Sequence, residues 1–386
     1  MRFLKKLLAL SLAAILAVSM TGMSKEPEDP AVASTQYIAE NKAADLAISE
    51  IKKISSCTSH FAWNTNTKID STVKLYDYDG NVNSYLFRLT TSSKPTGYAL
   101  VNADSKSASM ETACDEGDSA LDIMFKKNHH RLPNTNDHII CVGAFDFVQP
   151  LKDGHFQSVE TQKCIDASKQ ELKSDYRQSI LNNEKTFQSS SRKIENKDST
   201  HRISTSTYYR YHELPNLVGW RPFVTSDFSG DDYNCVPTAA TTFVNYWAKR
   251  HPNKNPALWT GYPYETLKNY TGWNPANQGA YPENIIPALT RYGAEYTKQP
   301  ICGDDYRWDG AIDWNFLTDK LSSNLPLIVC VQNHPKYGNH AVVAFGYQDF
   351  GTCYLLIADG WTTSSHTLLQ YTYNTTFHFA GYVRWH

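Results

Sequence analysis

Cys235 stands in the run Asn234-Cys235-Val236-Pro237-Thr238-Ala239-Ala240, where a polar loop gives way to an apolar segment of helical period. At a helix start beside an imidazolium, a thiol's pKa falls from about 8.5 to roughly 3.5–7.5, so a nucleophilic thiolate persists at neutral pH. Pro237 suits a first helical turn, where a missing N–H costs nothing. His340 follows Asn339 and opens the apolar run 341–347, and Asp359 closes the run 354–358 just before Gly360 and Trp361. These residues supply a nucleophile, a base and an orienting carboxylate. His340 is expected to face the sulfur, Asp359 to accept the other ring N–H, and Trp361 to cover that contact from solvent. Taken singly, each has an ordinary explanation as a buried thiol, a strand-edge imidazole or a turn residue. Their shared order, each at the edge of an expected element, points to acyl-transfer chemistry. His334 is the rival base, but it precedes Pro335 and is expected in a loop. His251 follows Lys249 and Arg250 and reads as a partner of the helix C-terminus.

The elements that must position this set follow from periodicity. From Cys235, the apolar residues Ala239, Ala240, Phe243, Val244, Tyr246 and Trp247 continue one helix to Arg250. Residues 264–270, 282–292 (ended by Gly293) and 313–322 read as shorter helices, and 325–332, 341–346, 354–358 and 382–385 as strands. The first half differs. Residues 35–54 form an amphipathic helix on Ile38, Ala44, Ile48, Ile51 and Ile54, and then 73–78, the turn Asp79-Gly80 and 82–89 make a hairpin that 98–102 can join. Residues 188–200 contain almost nothing apolar and are expected to form a mobile linker, open to proteolysis at Arg192, Lys193 and Lys197.

The cysteine helix, Gly338-Asn339-His340-Ala341-Val342-Val343 and Asp359-Gly360-Trp361 resemble the papain-like fold of streptopain-type secreted proteases. They are also similar to bacteriocin-leader peptidase domains. Upstream, Tyr85-Leu86-Phe87-Arg88-Leu89, the run from Gly97-Tyr98 to Ala103-Asp104, and Cys114-Asp115-Glu116-Gly117 resemble the streptopain-type propeptide. The resemblance covers most of the chain after residue 24. It implies an α+β protein, with a papain-like catalytic domain at 208–386 (helices first, antiparallel sheet last) preceded by a small α+β prodomain at 25–187 and a linker at 188–207 that holds the maturation site. It further implies a cysteine endopeptidase made as a zymogen, acting on protein or peptide substrates, inhibited by its own propeptide and needing no cofactor. One position departs from the pattern. The family usually places a glutamine six residues before the cysteine as an oxyanion donor, and Ser229 stands there. Either Ser229 or Asn234 replaces it, the Cys235 amide works with another group, or catalysis is impaired. Two rival readings stay open: an amidase, transglutaminase or deamidase on the same fold, and a papain-like binding protein that has lost activity.

The chain begins with Met1-Arg2-Phe3-Leu4-Lys5-Lys6 and an apolar stretch to Met20, the pattern of a secretory signal peptide over residues 1–24. Secretion is therefore expected, without a membrane anchor once the leader is cut. A net charge of −2 over 386 residues argues against a nucleic-acid partner, because phosphate binding needs a basic excess. Four cysteines precede residue 200 (Cys57, Cys114, Cys141, Cys164) and four follow it (Cys235, Cys302, Cys330, Cys353). With Cys235 reserved, the second half holds an odd number for disulfides. No CxxC pair or His-spaced cluster supports a metal site.

Overall fold

The computed structural model describes residues 37–141, 147–152, 155–160, 162–165, 209–228, 231, 233–251, 263–274, 279–297, 301–334, 337–371 and 377–385. The leader, the linker and Ser229 lie outside these residues.

In the first half, helix α1 (Glu40–Cys57) buries Ala43, Ala47, Ile51 and Ile54, a single stripe at near-helical spacing. It starts a turn later than the sequence suggests, and Ala44 and Ile48 flank the stripe. Strands β1 (Thr67–Tyr76), β2 (Val82–Thr91), β3 (Lys94–Asn102) and β4 (Met110–Cys114) pair antiparallel in chain order. The Asp77 carboxylate shapes the first turn by accepting from the Asp79 and Asn81 amides. Helix α2 (Ala120–His129) is started by a capping box between Ser119 and Asp122. Strands β5 (Ile139–Cys141), β6 (Phe147–Pro150), β7 (Phe156–Ser158) and β8 (Cys164–Ile165) extend the sheet beyond β1.

The second half runs through β9 (Arg210–Glu213), α3 (Cys235–Arg250), α4 (Pro263–Tyr270), α5 (Ile285–Tyr292), β10 (Ile301–Trp308) and α6 (Trp314–Ser322). Strands β11 (Leu327–His334), β12 (Gly338–Asp349), β13 (Cys353–Ala358), β14 (Thr367–Gln370) and β15 (Phe377–Trp385) follow. Helix α3 has the expected bounds, and Phe243, Val244 and Tyr246 on it are fully buried. Burial of each such side chain stabilises the fold by about 1.5–3 kcal/mol, so the helix that carries Cys235 is firmly held. Asp313 caps α6, its carboxylate accepting from the Phe316 amide. Gly293 does not end α5. The chain continues into a π-helical turn, Gly293–Thr297, at ordinary helical angles. A Cβ at Gly293 would lie 2.1 Å from the Trp385 indole nitrogen, so glycine is there for close packing and not as a helix stop.

The expectation of separate domains meets a more continuous architecture. Among the described residues the strands form one sheet in the order β10-β15-β11-β12-β13-β14-β4-β3-β2-β1-β5-β6-β7-β8, with β9 on β12. The halves join where β14 pairs antiparallel with β4, Leu368 opposite Ala113 and Leu369 opposite Thr112. One core also crosses the seam, with Tyr98, Leu100 and Cys114 in the same cluster as Phe243, Val343 and Leu369.

Candidate active site

Cys235 is the first residue of α3, and the backbone of Ala341 on β12 lies close enough to its sulfur to draw the thiol's pKa down. The helix start and the strand start therefore meet, at the residue that follows His340. Asn234, just before it, is buried and donates from Nδ2 to the Thr225 carbonyl at 3.2 Å. The Thr225 amide in turn donates to the Gly360 carbonyl at 2.7 Å. These two bonds tie the loop before the cysteine to the loop after β13. The Asn234 amide is thus committed to holding loops. Further out, Asp231 accepts from Tyr264 at 2.8 Å and from Lys268 at 2.5 Å, and Phe228 stacks on Tyr264 at 3.6 Å. The positive φ of Tyr233 is held by Trp273, whose indole N–H donates to its carbonyl at 3.2 Å.

His340 is buried and lies flat against Trp361, with ring centroids 3.7 Å apart and planes at 11°. Its Nε2 lies 2.6 Å from the main-chain oxygen of Asp359. A carbonyl can only accept, so Nε2 carries the proton and Nδ1 is the basic nitrogen. This corrects the expected contact: Asp359 meets His340 through its backbone and not through its carboxylate. Asp359 Oδ1 instead accepts from the Trp361 amide (2.9 Å), the Thr362 amide (2.8 Å) and the Thr362 hydroxyl (3.0 Å). The carboxylate thus shapes the turn that presents Trp361. Its Oδ2 is buried with no hydrogen-bond partner among the described residues. Gly360 adopts φ +75°, and a Cβ there would lie 3.9 Å from His340 Nε2.

The electrostatics also differ from expectation. Burial pushes the Cys235 thiol up, against the pull of the Ala341 and Val236 amides. Burial brings His340 down to about 4, opposed only by the Asp359 carbonyl. Burial likewise raises Asp359, against the Thr362 and Trp361 hydrogen bonds. At neutral pH the pair is therefore thiol and neutral imidazole, not thiolate and imidazolium, although Cys235 itself keeps partial exposure to solvent. No hydrogen bond joins Cys235 to His340 among the described residues.

Sequence reading missed Tyr337. It is fully buried, stacks on Trp361 at 5.3 Å and on His340 at 5.8 Å, and its hydroxyl lies 3.4 Å from that of Thr112 on β4. An aromatic between Pro335 and His340 was its only signal. The rival base His334 is not in a loop: it ends β11, buried, and its Nδ1 accepts from the Tyr337 amide. A strand end tolerates Pro335 where a helix would not. His251 follows α3 and stacks on Trp247 at 5.6 Å. Cys57, Cys114, Cys141, Cys164, Cys235, Cys330 and Cys353 are all free thiols.

Residues 221–385 match the model of the Peptidase_C39 like family, which marks this part of the chain as cysteine-peptidase-like. The match begins before the Cys235 loop and ends in β15, so it takes in every residue of the site just described. No curated protein matches the chain.

Proposed function

We propose that the chain is a secreted cysteine endopeptidase made as a precursor, in which residues 25–187 hold the Cys235 site in a resting state until the linker is cut. The observation that carries this reading is the meeting of the Cys235 helix start with the β12 start at Ala341, the residue after His340, within the family-matched segment. In the reaction, Nδ1 of His340 takes the thiol proton and Sγ attacks the peptide carbonyl. The C–N bond breaks as the imidazolium returns that proton to the leaving amine, and water, activated by the same nitrogen, then hydrolyses the thioester. The Asp359 carbonyl holds Nε2–H throughout and so fixes the tautomer and the ring plane. The Cys235 amide is one oxyanion donor. Since the Asn234 amide is engaged with Thr225, the second falls to Ser229 or to another backbone group.

The resting state is supported by the electrostatics. A thiol shifted up and an imidazole near 4 make a poor nucleophile and a weak base, and burial causes both shifts. Strand β4 contributes to that burial from the first half, through Thr112 beside Tyr337. Withdrawing β4 would admit water, lower the thiol and raise the imidazole toward an ion pair.

The test is maturation in trans. Purified Cys235→Ala precursor should remain full length, and a trace of active enzyme should convert it to a product beginning between residues 188 and 207. A Cys235→Ala precursor that matures alone, or a full-length protein that hydrolyses peptides as fast as the matured one, would count against the precursor reading. An amidase or transferase would label Cys235 with an iodoacetamide probe but leave peptide bonds intact. Absence of any selective adduct would favour a binding protein.

A further inference from the structure

Residues 359–367 form a short loop with two functional ends. At its start, Asp359 and Trp361 hold His340. At its end, His366 Nε2 lies 2.6 Å from Glu213 Oε1 on β9. Glu213 is engaged on its other oxygen too, accepting from the Tyr211 hydroxyl at 2.6 Å, and His60 of the first half lies 4.0 Å from that oxygen while its ring stacks on Tyr211 at 4.7 Å. Asp115, at the end of β4, accepts from the Ala62 amide at 2.6 Å. The charges of Asp115 and Glu116 both act on His366. Cys114, next to them, lies beside Ser364 of the loop, the Ser364 hydroxyl accepts from the His366 amide at 3.0 Å, and the loop runs into β14, which pairs with β4 at Leu368 opposite Ala113. Ser365 lies 3.2 Å from His366 Nδ1. This loop is therefore fastened to both the mature-half strand β9 and the first-half strand β4.

We propose that His366 is a titratable positioning residue: protonated between Glu213 and the Asp115–Glu116 pair, it clamps the 359–367 loop and the β4 seam, and it lets both loosen when the imidazole loses its proton. The proposal rests on the peptidase reading for its consequence, since the freed loop is the one that holds His340. The groups facing His366 are Glu213 from β9 and Asp115 and Glu116 from the end of β4, and His60 meets the same Glu213 carboxylate at its other oxygen. Burial alone would lower the imidazole, but the hydrogen bond and charge of Glu213, aided by Asp115 and Glu116, outweigh it and hold it above the ordinary value. Burial would raise Glu213, but the His366 and Tyr211 hydrogen bonds bring it below the usual carboxylate range. A histidine raised by its partner stabilises fully below its unfolded value of about 6.5 and loses that contribution as pH rises through the folded value. Deprotonation then removes the cation on which Glu213, Asp115 and Glu116 all act. The clamp is thus closed in mild acid and released toward alkaline pH.

Backbone hydrogen exchange on full-length Cys235→Ala protein tests this without needing catalysis. After correction for intrinsic rates, the segments 110–116 and 362–370 should lose about tenfold in protection between about pH 6 and pH 8.5, as the raised imidazole gives up its proton. Cys235→Ala/His366→Gln should show no more than about a twofold change across the same range. Glu213→Gln, which keeps an oxygen acceptor but removes the charge, should flatten the profile in the same way, and it serves if the His366 variant folds poorly. A native profile without the alkaline loss, or a His366→Gln profile that follows the native one, overturns the proposal. Loss of seam protection in a protein that never cleaves peptides would leave the clamp standing and reject only the peptidase reading.

Discussion

His340 and His366 are both largely buried, belong to one seam and are joined by one short loop, yet their environments drive them in opposite directions. His340 meets a backbone carbonyl, Trp361 and Tyr337, and burial takes it down to about 4. His366 meets the Glu213 carboxylate and is raised. Burial penalises the cation in both cases, so the partner decides: a neutral acceptor cannot offset the desolvation of an imidazolium, whereas a carboxylate at 2.6 Å can. One region keeps an imidazole uncharged. The other is built to keep a cation in place.

The comparison is broken most completely at the nucleophile and base. In matured protein, Cys235→Ala and His340→Ala should each lower kcat/KM for peptide hydrolysis by at least about 10³-fold, while His366→Gln should leave matured activity within about tenfold of native. If His366→Gln abolished hydrolysis and His340→Ala did not, the two histidines would have been assigned to the wrong roles.

The next largest effect is a pair of opposite pH slopes. A histidine lowered from about 6.5 to about 4 favours the folded state when neutral, so the fold loses roughly 3 kcal/mol as pH falls through that window and nothing further below it. Urea unfolding of Cys235→Ala protein should show this acid loss, and His340→Gln should remove most of it. Protonation of the raised Asp359 opposes the loss, so the measured slope should be shallower than for His340 alone. His366 acts with the other sign, its contribution present in mild acid and lost as pH rises. Glu213→Gln should bring the His366 titration, read by NMR, down while leaving that of His340 unmoved.

The scaffold of the site was legible because periodicity and punctuation are local. The α3 helix, the β1–β2 hairpin and the strands that begin near His340 and end just before Asp359 follow from apolar spacing, and Cys235, His340 and Trp361 fall at their edges. What was not legible depends on contacts that carry no residue signature. A main-chain carbonyl as the partner of His340 could have been any residue type, so reading Asp359 as a side-chain acceptor was natural and misplaced. The β4–β14 pairing joins residues some 255 positions apart (368 against 113) across the linker, and neither strand announces its neighbour. Strand β10, rich in Asp and Arg, has no apolar alternation to reveal it, and Gly293 looked like a helix stop because only the fold brings Trp385 against it.

The finest test separates the backbone of Asp359 from its carboxylate. If the carboxylate were the orienting group, Asp359→Asn would present the wrong hydrogen-bond partner to the imidazole and cost about 10⁴ in kcat, as in serine proteases that rely on such a carboxylate. Here Asn can keep an oxygen where Oδ1 accepts from Trp361 and Thr362, and the new amide would take the place of Oδ2, which has no partner to lose among the described residues. The carbonyl that holds Nε2–H is untouched. Asp359→Asn should therefore reduce kcat by less than about tenfold in the matured protein, with no shift in the pH profile. Asp359→Ala, which frees the Trp361 and Thr362 amides, should instead destabilise the fold by about 1–3 kcal/mol in urea unfolding. A loss near 10⁴ for the asparagine variant at unchanged stability would return the orienting role to the carboxylate and require the loop to rearrange on maturation.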